Sequence, residues 1–355
     1  MNFKIGKVKI GKDRCVIIAE AGVNHNCSLK MAEKLIQEAS RSGADIIKFQ
    51  TYKAEKLVIK KSPRFWKWDK EIKKNGTQYD SYSRLDKFGP NEYLKLYKLC
   101  KKYNIEFMST PFDEDAVDML ANIGMKGFKI ASCDITNFPL LKKVAKTKMP
   151  ILLSTGASNL DEIKSAVNFI EKNGNKNICV MQCTLCYPTK PQDANLSAIL
   201  EIKDNFKNKI IGLSDHTLGI NIASASTIYG VRVIEKHFTY NKKLLVSADH
   251  PISIDAKELR NLRKNVDELI LSTGTGKKQV LRCEQKTRKF ARRSIVVKKP
   301  IKANQVFSLD NLTCKRPGTG ISPNAFYQII GKRAKKNLYK DKIITKKDFI
   351  WNVWK

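Results

Sequence analysis

Residues 209–215 read KIIGLSD and residues 232–237 read RVIEKH, each a short apolar run that ends in polar, titratable side chains. In a strand, neighbouring side chains point to opposite faces, so Ser214, Asp215 and His216 cannot turn toward one another. A hydrolytic triad of three adjacent residues is thereby set aside, and no G-x-S-x-G elbow exists to expose a nucleophilic serine. The two runs read instead as consecutive strands, one followed by His216 and the other ending in His237.

Six similar runs precede them: VIIAE (16–20), DIIKFQ (45–50), IEFMST (105–110), GFKIAS (127–132), PILLST (150–155) and NICVMQC (177–183). Segments with apolar residues at three- and four-residue spacing lie between, such as LKMAEKLIQEASRSG (29–43) and LDEIKSAVNFIEKNG (160–174). Each closes on Gly, as a helix C-terminus does. Eight such alternations predict an α/β protein with a parallel sheet, and over residues 1–273 they fit a (β/α)8 TIM barrel better than an open doubly wound sheet. The connection at 51–89 is long and aromatic, which reads as a lid, an oligomer contact or a local hydrophobic plug. Residues 274–290 read as a linker, and 291–355, with short strands and a Pro-Gly-rich centre, as a small separate domain.

Composition excludes little else. The net charge of +33 comes from 67 Lys and Arg against 34 Asp and Glu, spread along the whole chain and not gathered into a stripe. That is a lysine-rich surface more than a nucleic-acid site. No apolar run is long enough for a membrane span, and no secretory signal is visible, so the expected location is the cytoplasm. Nine scattered cysteines read as reduced thiols. The Cys183/Cys186 pair lacks a second pair at zinc-ribbon spacing.

Active sites of such barrels form at the C-terminal ends of the strands. There the runs deliver Lys48, Lys129 and Lys236, which is costly unless an anion such as a phosphate or carboxylate is held among them. Ser and Thr donors flank them. The four histidines, His25, His216, His237 and His250, all fall in segments of this rim. His216 and His237, on adjacent strands, suit one divalent ion completed by oxygens, Mn2+ before zinc. Asp215 reads as a support that turns away from the site.

With IIAEAGVNHN (17–26), GADIIKFQ (43–50), FKIASCDITN (128–137), QCTLCYPT (182–189), GLSDHTLG (212–219) and VIEKHFT (233–239) assembled, the chain resembles the sialic acid synthase family. Members condense phosphoenolpyruvate with an N-acetylated hexosamine. LTCKRPGTGISP (312–323) resembles that family's antifreeze-like (SAF) domain. The resemblance implies that Lys48 and Lys129, with Thr110, Ser132, Ser154, Thr184 and Ser214, hold phosphoenolpyruvate. It implies that Glu20, Gln50, Tyr187 and Asp249 hold the sugar, and that Arg316 reaches its acetamido group from the partner in a domain-swapped homodimer. His216 and His237 would bind the metal, Mn2+ with Mg2+ or Co2+ as alternatives. Glu20 and the two lysines would take catalytic parts, and Asp134, where many members carry Glu, would handle the attacking water. N-acetylmannosamine is the default sugar, and a diacetamido precursor of legionaminic or pseudaminic acid is the alternative. No membrane or nucleic-acid partner is expected.

Overall fold

A computed structural model describes residues 2–11, 14–66, 68, 70–244 and 247–350. It divides into two compact units, Met1–Gly274 and Thr275–Lys355. The first opens with a hairpin of β1 (Phe3–Ile5) and β2 (Val8–Ile10). Eight parallel strands follow: β3 (Val16–Gly22), β4 (Ile46–Thr51), β5 (Glu106–Pro111), β6 (Phe128–Ile130), β7 (Ile151–Ser154), β8 (Ile178–Cys183), β9 (Ile210–Asp215) and β10 (Val233–His237). Their order is β5-β4-β3-β10-β9-β8-β7-β6, and β5 lies beside β6, so the sheet closes into the expected TIM-type barrel. The strands are buried almost throughout because helices cover one face and the barrel interior occupies the other. The hairpin caps the N-terminal end, where Ile5 packs against Gly127 so closely that a Cβ there would come within 2.9 Å of it.

Local sequence explains the covering helices. α1 (Leu29–Arg41) starts where Ser28 accepts a hydrogen bond from the Met31 amide, and buries Ala32, Leu35, Ile36 and Ala39 at the expected spacing. Its chain then reverses at Gly43, whose φ of +89° suits glycine. Within the long connection, α2 (Ala54–Leu57) and α3 (Gln78–Leu85) form, the latter capped reciprocally by Thr77 and Asp80. Val23, Tyr52 and Leu85 make a small core of their own there, with Tyr82 and Phe112 against it.

The second unit pairs β11 (Ser294–Val297) with β12 (Leu312–Lys315), antiparallel, over a core including Ile301, Phe307 and Phe349. Within the segment expected to be a linker, Gln285–Ala291 forms a helix. The end of the 291–355 domain, beyond residue 350, lies outside the described residues.

Candidate active site

A cavity of about 380 Å³ opens at the C-terminal ends of the strands. Register decides which side chains enter it. Parallel pairing places Glu20 beside Lys48 and His237, and Ser214 beside Glu235. With a period of two, β10 therefore sends Glu235 and His237 inward and Lys236 outward.

Two lysines and two glutamates form the floor, all at most 7% exposed at their side chains. Lys48 Nζ lies 2.6 Å from Glu20 Oε2 and 3.7 Å from Glu235 Oε2, and donates to Thr110 Oγ1 at 2.9 Å. Lys129 Nζ is 3.5 Å from Glu235 Oε1, which also accepts from Ser214 Oγ at 3.0 Å. Gln50 donates to the other oxygen of Glu20 at 3.0 Å. Burial pushes the Glu20 carboxyl upward, opposed by Lys48 and assisted by Glu235. Burial also works to raise Glu235, but Lys129 and Lys48 outweigh it and hold that carboxylate ionised. This floor is two cations bridged by a buried carboxylate, poised for an anion.

The expectation of three converging lysines is corrected to two. Lys236 Nζ donates to Asp215 Oδ2 at 2.7 Å and to the Thr217 carbonyl, outside the cavity. Asp215 also accepts from the Thr217 amide and hydroxyl, both at 3.0 Å, and so turns away as expected. The alternation that exiled Asp215 exiles Lys236 as well, and it brings in Glu235, which the sequence reading passed over. The signal was present in IEKH: once His237 points inward, so must the residue two before it.

The two histidines stand together with ring centroids 5.4 Å apart, and Tyr187 packs on His216 at 4.2 Å. His216 Nδ1 donates to the Thr184 carbonyl at 2.9 Å, which leaves Nε2 as the free lone pair. Burial works to lower its pKa, but the Cys183 thiol and the Thr184 carbonyl reverse the direction. His237 is held well below the usual imidazole range by burial, and then by His216 and Lys48. Its Nδ1 is buried with no hydrogen-bond partner among the described residues and lies 3.7 Å from Asp249 Oδ2. Burial raises the Asp249 carboxyl to about 6, against His216 and Lys48. Two adjacent imidazoles, one an orphan, fit a divalent ion that takes other ligands from water and substrate. Among the described residues no cluster of three or more His, Cys, Asp or Glu side chains forms a complete ligand set.

Glycines permit the crowding. Gly22 has φ +50°, and a Cβ there would lie 3.3 Å from each of Asp249, Gln50 and Glu20. Ser132 Oγ accepts from the Gly156 amide at 2.9 Å, and Asp134 lines the cavity beside it, held by Asn137 at 3.2 Å with its carboxyl raised by burial.

Not every expected residue enters the cavity. The Thr184 hydroxyl donates to the Asp193 carbonyl, so its part is the carbonyl that orients His216. Ser154 does not line the cavity; its hydroxyl is buried with no partner among the described residues. Of the four rim histidines, His25 stacks on Phe88 at 4.5 Å and His250 bonds Thr239 at 3.1 Å; both are depressed to about 4 by burial. Arg316 is exposed on the second unit. The long connection after β4 proves part of the site, since Trp66, Glu71, Tyr82 and Leu85 line the same cavity.

Comparison with known proteins identifies the family. The NeuB family model matches residues 35–278 and the SAF domain model residues 292–350. The chain is 42% identical to N,N'-diacetyllegionaminic acid synthase of Campylobacter jejuni, covering 93% of this chain and 99% of that one. It is 32% identical to human N-acetylneuraminate-9-phosphate synthase over 94% and 92% of the two chains. A crystal structure of N-acetylneuraminic acid (sialic acid) synthetase from Leptospira borgpetersenii in complex with citrate superposes with a TM-score of 0.72 at 35% identity, covering 81% of this chain and 95% of that one. With the barrel, the lysine floor and the paired histidines in one chain, this protein belongs to the NeuB family of sialic, legionaminic and pseudaminic acid synthases.

Proposed function

We propose that the chain condenses phosphoenolpyruvate with an open-chain N-acylated hexose, and that the hexose carries two acetamido groups. The observation that carries the reaction is the buried pair Lys48 and Lys129 on the same cavity as His216 and His237. Support for the sugar comes from relatives named N,N'-diacetyllegionaminic acid synthase at 42% and 39% identity, against 33% and 32% for two named N-acetylneuraminate-9-phosphate synthases. N-acetylmannosamine, the default of the sequence reading, is the second choice.

In this reading Lys48 and Lys129 neutralise the phosphate and carboxylate, with Thr110, Ser132 and Ser214 as donors, while Ser154, outside the cavity, takes no part. Gln50, Tyr187 and Asp249 position the sugar, while Glu20 holds Lys48 and exchanges a proton with the aldehyde oxygen. His216 and His237 would hold a divalent cation, Mn2+ with Mg2+ or Co2+ as alternatives, which would supply Lewis-acid polarisation of that aldehyde when bound. The enol carbon bonds to the aldehyde carbon, and water, deprotonated by Asp134, adds to the former enol carbon bearing the phosphate. The bond from that carbon to the phosphate oxygen then breaks, releasing inorganic phosphate. Arg316 from a second copy contacts an acylamino group, which makes a homodimer the working form.

Purified protein with phosphoenolpyruvate is expected to release phosphate faster with a diacetamido hexose than with N-acetylmannosamine, and to stop on chelation of Mn2+. Absence of phosphate release with every sugar of the panel would refute the reading. A companion expectation separates floor from frame. Lys236→Met leaves Asp215 buried without its cation, which costs about 3–5 kcal/mol when a buried pair is broken. The urea midpoint should therefore fall while KM for phosphoenolpyruvate stays within about twofold; a raised KM with unchanged stability would return Lys236 to the floor.

A further inference from the structure

The cavity has two unlike sides. Its floor is cationic, whereas the wall contributed by the connection after β4 is mainly aromatic and carries one acid, Glu71, and one base, Arg84. Trp66 meets Tyr82 at 5.6 Å, and Tyr82 meets Tyr52 edge-on at 5.5 Å. Glu71, with a side chain only 9% exposed, is fixed on this wall: Oε1 accepts from Trp66 Nε1 at 3.2 Å and from Ser81 Oγ at 3.1 Å. Arg64 lies 3.5 Å from Oε2, which retains acceptor capacity. Tyr52 lines the same cavity, and its hydroxyl is buried with no hydrogen-bond partner among the described residues. A wall that combines rings, a buried acceptor and a spare donor matches one chemical group well, a neutral secondary amide bearing a methyl. Its N–H can bond Glu71, its carbonyl can accept from Tyr52, and its methyl can pack on the rings.

We propose that Trp66, Glu71 and Tyr52 form the subsite for the second, distal acylamino group of the sugar, and so set the choice between diacetamido and monoacetamido substrates. This rests on the condensation proposed above. The reacting aldehyde must lie at the histidines, next to the floor, so the far end of the sugar has the insertion's side of the cavity to occupy. The anionic substrate and the neutral one are thereby sorted to opposite sides of one space before they react.

The test compares kcat and KM for a diacetamido hexose and for N-acetylmannosamine in the wild type, Glu71→Ala, Glu71→Gln and Trp66→Ala. Loss of one well-placed hydrogen bond to a buried charge is expected to raise KM for the diacetamido sugar about tenfold in Glu71→Ala with kcat little changed. Glu71→Gln, which keeps a carbonyl acceptor, should recover part of the loss, and Trp66→Ala should show the same selective effect. KM for N-acetylmannosamine and for phosphoenolpyruvate should stay within about twofold. An equal loss for both sugars makes the insertion a general lid and overturns the subsite, as does no loss for either. Failure of the wild type to release phosphate with any sugar overturns the condensation itself, an outcome distinct from both.

Discussion

Lys48→Met is expected to lower phosphate release from phosphoenolpyruvate by about a hundred- to a thousandfold, the range seen when one preorganised electrostatic partner of a transition state is removed. The side chain is nearly isosteric, so the cavity keeps its shape while losing a cation that touches Glu20, Glu235 and Thr110 at once. The loss should fall on KM as well as kcat, because the same ammonium meets the bound anion before and during reaction. Some stability is lost too, since Glu20 is left in a buried site without its partner at 2.6 Å. That cost is eased by protonation, toward which burial already drives the Glu20 carboxyl. Circular dichroism with a denaturant titration separates the two effects: a folded protein with near wild-type kinetics would remove Lys48 from the reaction.

His216→Ala is expected to abolish metal-dependent turnover, a loss of about a thousandfold or more given the several kcal/mol that a Lewis acid contributes. The fold should survive. His216 follows the end of β9, outside the barrel's apolar core, and its main polar tie is to the Thr184 carbonyl. The measurement pairs phosphate release across a Mn2+ titration with metal content after dialysis. Full activity, or unchanged metal content together with unchanged activity, would remove His216 from the metal site. The neighbouring Cys183 makes the variant informative, because its thiol lies 3.8 Å from His216 Nδ1. Burial alone would raise that thiol, and His216 first, then Ser132 and Lys129, turn it downward, so the thiol reports on the loss of the imidazole beside it.

The barrel was legible because its signal is repeated. Eight apolar runs, each a strand, are separated by helices whose starts are marked by residues such as Ser28, Asn159 and Asp255, and no single misread segment could hide the pattern. The paired histidines were legible for the same reason, since they occupy corresponding places at the ends of adjacent strands. What was harder to read was orientation within a strand end. Lys236 and Glu235 differ by one position, and burial of charge made all three lysines look alike until the pairing register separated them. Thr184 shows a second limit: a short polar side chain in a loop has several carbonyls within reach, and local geometry gave its hydroxyl to Asp193. The insertion's place over the cavity depends on contacts between Tyr52, Tyr82 and Phe112, residues far apart in sequence, which no local pattern encodes.

The opposite facing of Glu235 and Lys236 on β10 also bears on how this enzyme can change over generations. Losing or gaining one residue within that strand would turn it over, carrying a lysine into the cavity and expelling both Glu235 and His237. The loop between β4 and α4 (Pro90–Lys102) has no such register to keep. Length variation can accumulate there while the barrel strands stay fixed, so a lineage could acquire appetite for a new sugar without disturbing the machinery that consumes the phosphorylated partner.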